Sequence, residues 1–138
     1  KTALVTGGDS GIGRAVAMTL AAAGARVAIH GRSASRAAEV AAALGPAHAG
    51  TFLANLAEPG AAEQLGTDVA QTLPSLDTAV LFAGADVLTG EPAAWPFDRK
   101  LAELLQVDVT STMLLARQLG KHMKQHHGGV IVTCGWDQ

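Results

Sequence analysis

The chain contains no tyrosine. Any mechanism that needs a phenolic acid or base is therefore excluded within these 138 residues. It has one cysteine, Cys134, which rules out disulfide stapling. A single thiol and an N-terminus without a signal-peptide layout fit a reducing, cytoplasmic setting. The formal net charge is only -2, so no strong basic field exists for nucleic acid or an anionic membrane. No apolar run approaches the roughly 18–20 residues that span a bilayer. What is present suits one domain of ordinary size, able to bury about two-thirds of the surface its unfolded chain exposes. The chain starts at Lys1 without a methionine and stops abruptly after Asp137-Gln138. Both ends read as cut from something longer.

Apolar strands alternate with Ala-rich helical stretches. Thr2–Thr6 is a short β-prone run that ends at glycines. Ile12 to Ala23 carries Ile12, Val16 and Leu20 at helical spacing, and Gly24 closes it. Arg26–His30 reads as a second strand. Ser33 caps a helix to about Leu44, stopped by Gly45-Pro46. Ala49–Ala54 is a third strand, and Pro59–Leu73 a helix ended by Pro74. Asp77–Phe82 is a buried strand followed by Ala83-Gly84. Gly90, Pro92 and Pro96 mark 86–96 as a loop. From Phe97 to about His126 the pattern is two helices with a break near Gln106, and Val130–Cys134 is a fifth strand. The strands are continuous apolar runs, as parallel strands covered by helices on both faces require.

The chemistry concentrates in Thr6-Gly7-Gly8-Asp9-Ser10-Gly11-Ile12-Gly13, between the first strand and the first helix. A sharp turn is needed at Gly7, close approach of a phosphate at Gly11, and tight helix packing at Gly13. The free amides and positive dipole end of the helix then bind a pyrophosphate. Ser10 either caps that helix or donates to a phosphate. Arg14, in the first turn, gains nothing from the dipole, so an anionic ligand nearby would offset its cost. A P-loop is excluded because no Gly-Lys-Ser/Thr follows. A methyltransferase-type loop fits less well.

At these residues the chain resembles the short-chain dehydrogenase/reductase family, of the classical type. The resemblance rests on Thr6-Gly7-(x)3-Gly11-Ile12-Gly13-Arg14-Ala15. It extends through Leu76-Asp77, Ala83-Gly84, Phe97-Asp98, Val107-Asp108-Val109, His122-Met123 and Gly129–Val132. It implies an α/β fold with a Rossmann-like, doubly wound parallel sheet of five strands in the order 3-2-1-4-5, flanked by helices and incomplete at its C-terminus. The whole of 1–138 would be an NAD(P)-binding domain without its C-terminal catalytic segment. The implied activity is hydride exchange between NAD(P) and a small carbonyl or alcohol. A homo-oligomer, dimer or tetramer, is implied too. The alternative is a nucleotide-binding or scaffold homologue that has lost its active site.

NAD-binding loops place an acidic side chain about 20 residues after the glycines, on the ribose 2′-hydroxyl. Here His30-Gly31-Arg32-Ser33 carries none. Arg32 and Ser33 suit a 2′-phosphate through charge-assisted bonds, with Arg14 as a second cation. NADP is therefore favoured, with NAD as the alternative. By resemblance, Asn55 and Leu56 meet the adenine, and Ala83-Gly84 border the ribose. The family's two amides before that Ala-Gly are replaced by Leu81 and Phe82.

In the family a Tyr, a Lys four residues later and a Ser carry the proton chemistry. The Tyr–Lys pair is expected beyond Gln138, and Gly135 or Trp136 stands at the Ser position. Asp108 occupies the place of the catalytic-helix Asn, where a structural hydrogen-bonding role is the favoured reading. This chain alone is expected to be inactive.

Other residues read as structural. His122 and His126 at i,i+4 lack the supporting acid of a metal site, and no metal is expected. Cys134 reads as a small buried hydrophobe. Trp95 either lines a substrate pocket or caps the core. Met113, Leu114, Leu115, Leu119 and Met123 exceed what one sheet face needs, so part of that surface suits a helix-to-helix oligomer contact.

Overall fold

The computed structural model describes residues 1–134. Five parallel strands form one sheet: β1 (Thr2–Thr6), β2 (Arg26–Gly31), β3 (His48–Leu53), β4 (Thr78–Leu81) and β5 (Val130–Thr133). Their order is β3-β2-β1-β4-β5, as the resemblance implies. The order reverses beside β1. The chain runs outward through β2 and β3, then returns to place β4 on the other side of β1. A crevice must open there at the strands' C-terminal ends, because the connections leave in opposite directions.

Side chains alternate between two cores. Val5, Val27, Ile29 and Val80 pack under α1 (Gly11–Ala22) and α2 (Ala34–Leu44). Leu4, Ala28, Ala79 and Leu81 pack under α3 (Ala61–Thr72) and α5 (Thr112–His126). In α1 the buried positions are Gly13 and Ala17. Small residues there let the helix approach the sheet closely. Ile12, expected on the apolar face with Val16 and Leu20, is instead 74% exposed. It sits at the helix start, where the axis has already risen past the end of β1.

The edges differ from the centre. β3 has no buried residue, being half-buried or exposed throughout, and its pairing with β2 shifts between Val27 and Ala28. On β5, Ile131 packs into the α3/α5 core, while Val130 and Val132 on the other side are exposed. Cys134, just beyond that strand, is exposed too. The buried thiol read from the sequence is thus corrected: no helix covers that side of the edge strand among the described residues.

The helix break expected near Gln106 is also corrected. α4 (Phe97–Leu104) runs without interruption through a π-helical stretch, Leu105–Ser111, into α5. The wider π turn buries Val107 and Ser111, and it sends the Ser111 hydroxyl to the Leu56 carbonyl at 3.0 Å. Within the expected loop 86–96, Glu91–Ala94 forms a short 3-10 turn.

Leu119 is fully buried between α5 and the sheet. Leu119→Ala should lower unfolding free energy by about 2–5 kcal/mol in urea titrations of the full-length protein.

Candidate functional site

The loop after β1 is shaped by contacts on both sides. On the β4 side, the Thr6 hydroxyl accepts the Ala83 N–H at 3.0 Å. Gly7 turns with φ of +67°, and a Cβ there would lie 3.0 Å from the Phe82 carbonyl oxygen. On the β2 side, the Gly8 N–H donates to the His30 carbonyl at 2.8 Å. The chain then folds back so far that a side chain at Gly13 would collide with the Gly7 carbonyl. Glycine at position 13 is thus required by the loop itself, not only by the sheet.

Ser10 is the N-cap of α1, yet its hydroxyl makes no capping hydrogen bond, and the first turn holds no acid. The N–H groups of Gly11, Ile12 and Gly13 have no partner further back within the helix. They lie at the positive end of the dipole, beside a cleft of about 610 Å³. A Cβ at Gly11 would meet nothing within 4 Å, so that side is open to a ligand.

The cleft brings together most of the residues singled out from the sequence. Gly7, Ser10, Gly11, Ile12, Gly13, Arg32, Asn55, Leu56, Ala83 and Gly84 all line it. Asn55 is held by the Ala57 N–H on its Oδ1 (3.2 Å) and by Glu58, to which its Nδ2 donates (3.3 Å). Leu56 also belongs to the core, at 3% exposure. Phe82, where the family has an amide, joins the cleft wall and packs partly against the α1/α2 core.

Three residues stand elsewhere. Ser33 caps α2, its hydroxyl accepting the Arg36 N–H at 3.4 Å, and it does not line the cleft. Arg14 is exposed and off the cleft wall. Asp108 accepts the Ala85 N–H at 2.8 Å, tying the π stretch to the chain after β4. Its neighbour Val107 reaches the wall in its stead. Gly135 and Trp136, expected at the Ser position, lie outside the described residues.

Three residues were not foreseen: Arg36, its partner Asp9, and His30. Arg36 lines the cleft and pairs with Asp9 at 3.1 Å. Its visible signal was only its position three residues after the α2 cap. His30 is 2% exposed and bridges two loops. Its Nε2 lies 3.1 Å from the Ala54 carbonyl, which can only accept, so Nε2 carries the proton. The bare Nδ1 then faces the Gly7 N–H at 3.5 Å. Burial holds the His30 pKa below the ordinary value of 6.5. The hydrogen bond to Ala54 and the Asp9 charge oppose that shift, and the Arg32 charge adds to it.

The remaining candidates do not line the cleft. His122 donates to the Leu73 carbonyl at 3.0 Å, and the His126 ring lies 4.6 Å away at a 52° tilt. No group of three or more metal-type ligands occurs among the described residues. Trp95 donates to Glu91 at 3.2 Å and lies 3.6 Å under the Arg99 guanidinium, away from the cleft.

A model of the short chain dehydrogenase family matches residues 1–135. The chain belongs to the short-chain dehydrogenase/reductase family. D-threitol dehydrogenase of Mycolicibacterium smegmatis is 35% identical over 136 residues, covering 96% of this chain and 51% of that protein. The 3-oxoacyl-[acyl-carrier-protein] reductase of Escherichia coli is 29% identical over 135 residues, covering 98% and 54%. A short chain dehydrogenase from Burkholderia cenocepacia, solved in complex with NADP, superposes with a TM-score of 0.82 at 36% identity, covering 98% and 55%. The chain thus spans about half the length of the short-chain dehydrogenases it matches. No helix among its described residues is long and apolar enough to cross a membrane.

A neutral His30 in the folded state and a titrating one in the unfolded state make stability pH-dependent. The unfolded chain binds the extra proton first, so this contribution is complete above about pH 6.5. It is lost as pH falls from there toward the lowered folded value. Urea midpoints measured from pH 7.5 to pH 5 should fall over that window. His30→Gln, which can still donate to Ala54 but does not titrate, should flatten the fall.

Proposed function

We propose that this chain is the cofactor-binding half of an NADP-dependent oxidoreductase acting on a small carbonyl or alcohol. The observation that carries this reading is the uncapped start of α1 opening on a cleft whose β2 wall presents Arg32. The uncapped amides suit a pyrophosphate. Arg32 suits a 2′-phosphate, since a guanidinium binds phosphate through paired, charge-assisted bonds. The relative from Burkholderia cenocepacia, solved with NADP, supports the same nucleotide.

In this reading Gly7, Gly11 and Gly13 shape the cradle, and Ser10 has a free hydroxyl for a phosphate oxygen. Asn55 offers an amide to the adenine, while Ala83 and Gly84 leave room for the ribose. The bound nicotinamide would supply or accept the hydride. This chain's part is to bind and orient the dinucleotide. With no tyrosine in 138 residues, the phenolic proton donor of the family belongs to sequence outside them. Asp108 acts as a tether for the chain after β4. The free, exposed Cys134 suits a reducing compartment, and we place the protein in the cytoplasm.

Titration of the full-length protein should show saturable quenching of NADPH fluorescence, and tighter binding of NADPH than of NADH. Arg32→Ala should weaken NADPH about tenfold and leave NADH nearly unchanged. No saturable binding of either nucleotide would overturn the reading. Equal affinities, unmoved by Arg32→Ala, would overturn the NADP preference.

We also propose that the protein assembles with copies of itself through the α4–α5 helix. Phe97, Leu101, Leu105, Val109 and Met113 are exposed at steps of four residues. In a regular α-helix each step of four overshoots a turn by about 40°. The wider π turn takes more residues, so it draws the stripe back toward one side. Of the apolar set read from the sequence, Leu115, Leu119 and Met123 are core, and Met113 belongs to this stripe. A row of this length on one helix is more apolar surface than isolated exposed residues provide. Light scattering on the full-length protein should give a dimer or tetramer, and Leu105→Asp with Met113→Asp should lower that mass.

A further inference from the structure

His30 is the one histidine buried in the cleft wall among the described residues. It stands near the end of β2, opposite Thr6 of β1 and Phe52 of β3. Its ring joins the chain leaving each of those neighbours. Nε2–H holds the Ala54 carbonyl, next to Asn55, and Nδ1 accepts the Gly7 N–H at the longer distance of 3.5 Å. One imidazole thus spans from the loop that leads to α1 to the wall that carries Asn55. Only the neutral ring offers a donor and an acceptor at once. A proton on Nδ1 would set two N–H groups face to face. Gly7 cannot simply turn away, because its φ is +67° and the Phe82 carbonyl and Ala83 backbone crowd its Cα. The charges around the ring nearly offset one another. Asp9 of the glycine loop favours the charged form and is paired with Arg36, while Arg32 opposes it. In the chain after β3, Glu58 is engaged with Asn55. On this face α3 and the π stretch bury no charged side chain, and Asp108 is turned to the Ala85 N–H.

We propose that His30 is a positioning residue for the nucleotide, and that the cleft binds with this imidazole neutral. The ring holds no phosphate in this role. It fixes the span between the loop that receives the pyrophosphate and the wall that receives the adenine. This rests on the nucleotide-binding reading above and deepens it, and it does not depend on a 2′-phosphate. Adenosine in the cleft would shut water off from the ring still further, which penalises the charged form again. The pyrophosphate charge acts the other way, but the uncapped amides of α1 already face it. Protonation and nucleotide binding therefore oppose each other, and by linkage the affinity falls as the ring gains its proton. Burial holds the His30 pKa below 6.5, so the affinity is level above about that pH and drops beneath it.

The probe is ADP-ribose, titrated calorimetrically into the full-length protein from pH 8 to pH 5. It carries the adenine and the pyrophosphate but lacks the phosphate monoester of NADPH, which itself titrates near pH 6. The wild type should bind about fivefold to tenfold more weakly at pH 5 than at pH 7.5. His30→Gln keeps a donor and an acceptor side by side and does not titrate. It should bind within about threefold of the wild type at pH 7.5, with a level profile down to pH 5. His30→Leu fills the space and bridges nothing, so it should bind about tenfold more weakly at pH 7.5. Near-UV circular dichroism at each pH reports that the protein is still folded. A wild-type profile that is level, that rises toward pH 5, or that His30→Gln reproduces would overturn the proposal. So would His30→Leu binding as tightly as the wild type, or His30→Gln binding as weakly as His30→Leu. Failure of the nucleotide reading looks different: ADP-ribose would then show no saturable binding to the wild type at pH 7.5.

Discussion

The structure depends on how the loop after β1 is pinned between its two neighbouring strands. Gly8 bonds to the His30 carbonyl on the β2 side, and Thr6 receives Ala83 on the β4 side. Parallel pairing fixes the register of all three strands, so Thr6 stands opposite both His30 and Leu81. The loop therefore has no freedom to drift. Gly7 must turn at positive φ, and α1 must begin close enough that Gly13 touches the Gly7 carbonyl. The amides at the helix start are aimed into the crevice as a consequence of that packing. The shape of this loop is a property of the sheet's centre rather than of a flexible appendage.

The same constraint decides which parts were legible in the sequence. Strands at the centre of the sheet are continuous apolar runs, so β1, β2 and β4 could be placed to within a residue or so. The glycine loop was legible because only glycine tolerates its turn and its contacts. The edges were harder. Cys134 follows an apolar strand and reads as buried, but a pattern of residue types cannot show that β5 lies at an uncovered edge. Ile12 fits the helical period as well as Val16 does. Its exposure follows from its place at the helix start, which periodicity does not register. The π stretch at Leu105–Ser111 was misread as a break because it keeps helical composition while shifting its period.

Asp108 shows how a pattern and a role can separate. Its position matches that of a family amide, yet its oxygen is spent on the Ala85 N–H. An amide could accept that bond and also donate a second one. A carboxylate can only accept while ionised. The π stretch that presents it also fixes Leu56 from two directions, through Ser111 and through Gln106. Leu56 in turn lines the cleft. The long helix thus braces the chain after β3 and the chain after β4 at once, on the face of the sheet opposite α1.

The unforeseen residues share one physical reason. His30, Asp9 and Arg36 act across the gap between β1 and β2, and their partners are far away in sequence. Reading for an acid at the end of β2 found none and favoured a 2′-phosphate. The acid at that wall comes from the glycine loop instead, where a sequence pattern assigns it only a place between glycines. A carboxylate on that wall means that its charge is not set by Arg32 alone. Its effect depends on what it pairs with, and here it accepts the Arg36 guanidinium and the Ser33 N–H while still lining the cleft. Charge at this wall is set by a pair spanning two elements, which is why one position at the end of β2 could indicate the cofactor without explaining how it is read.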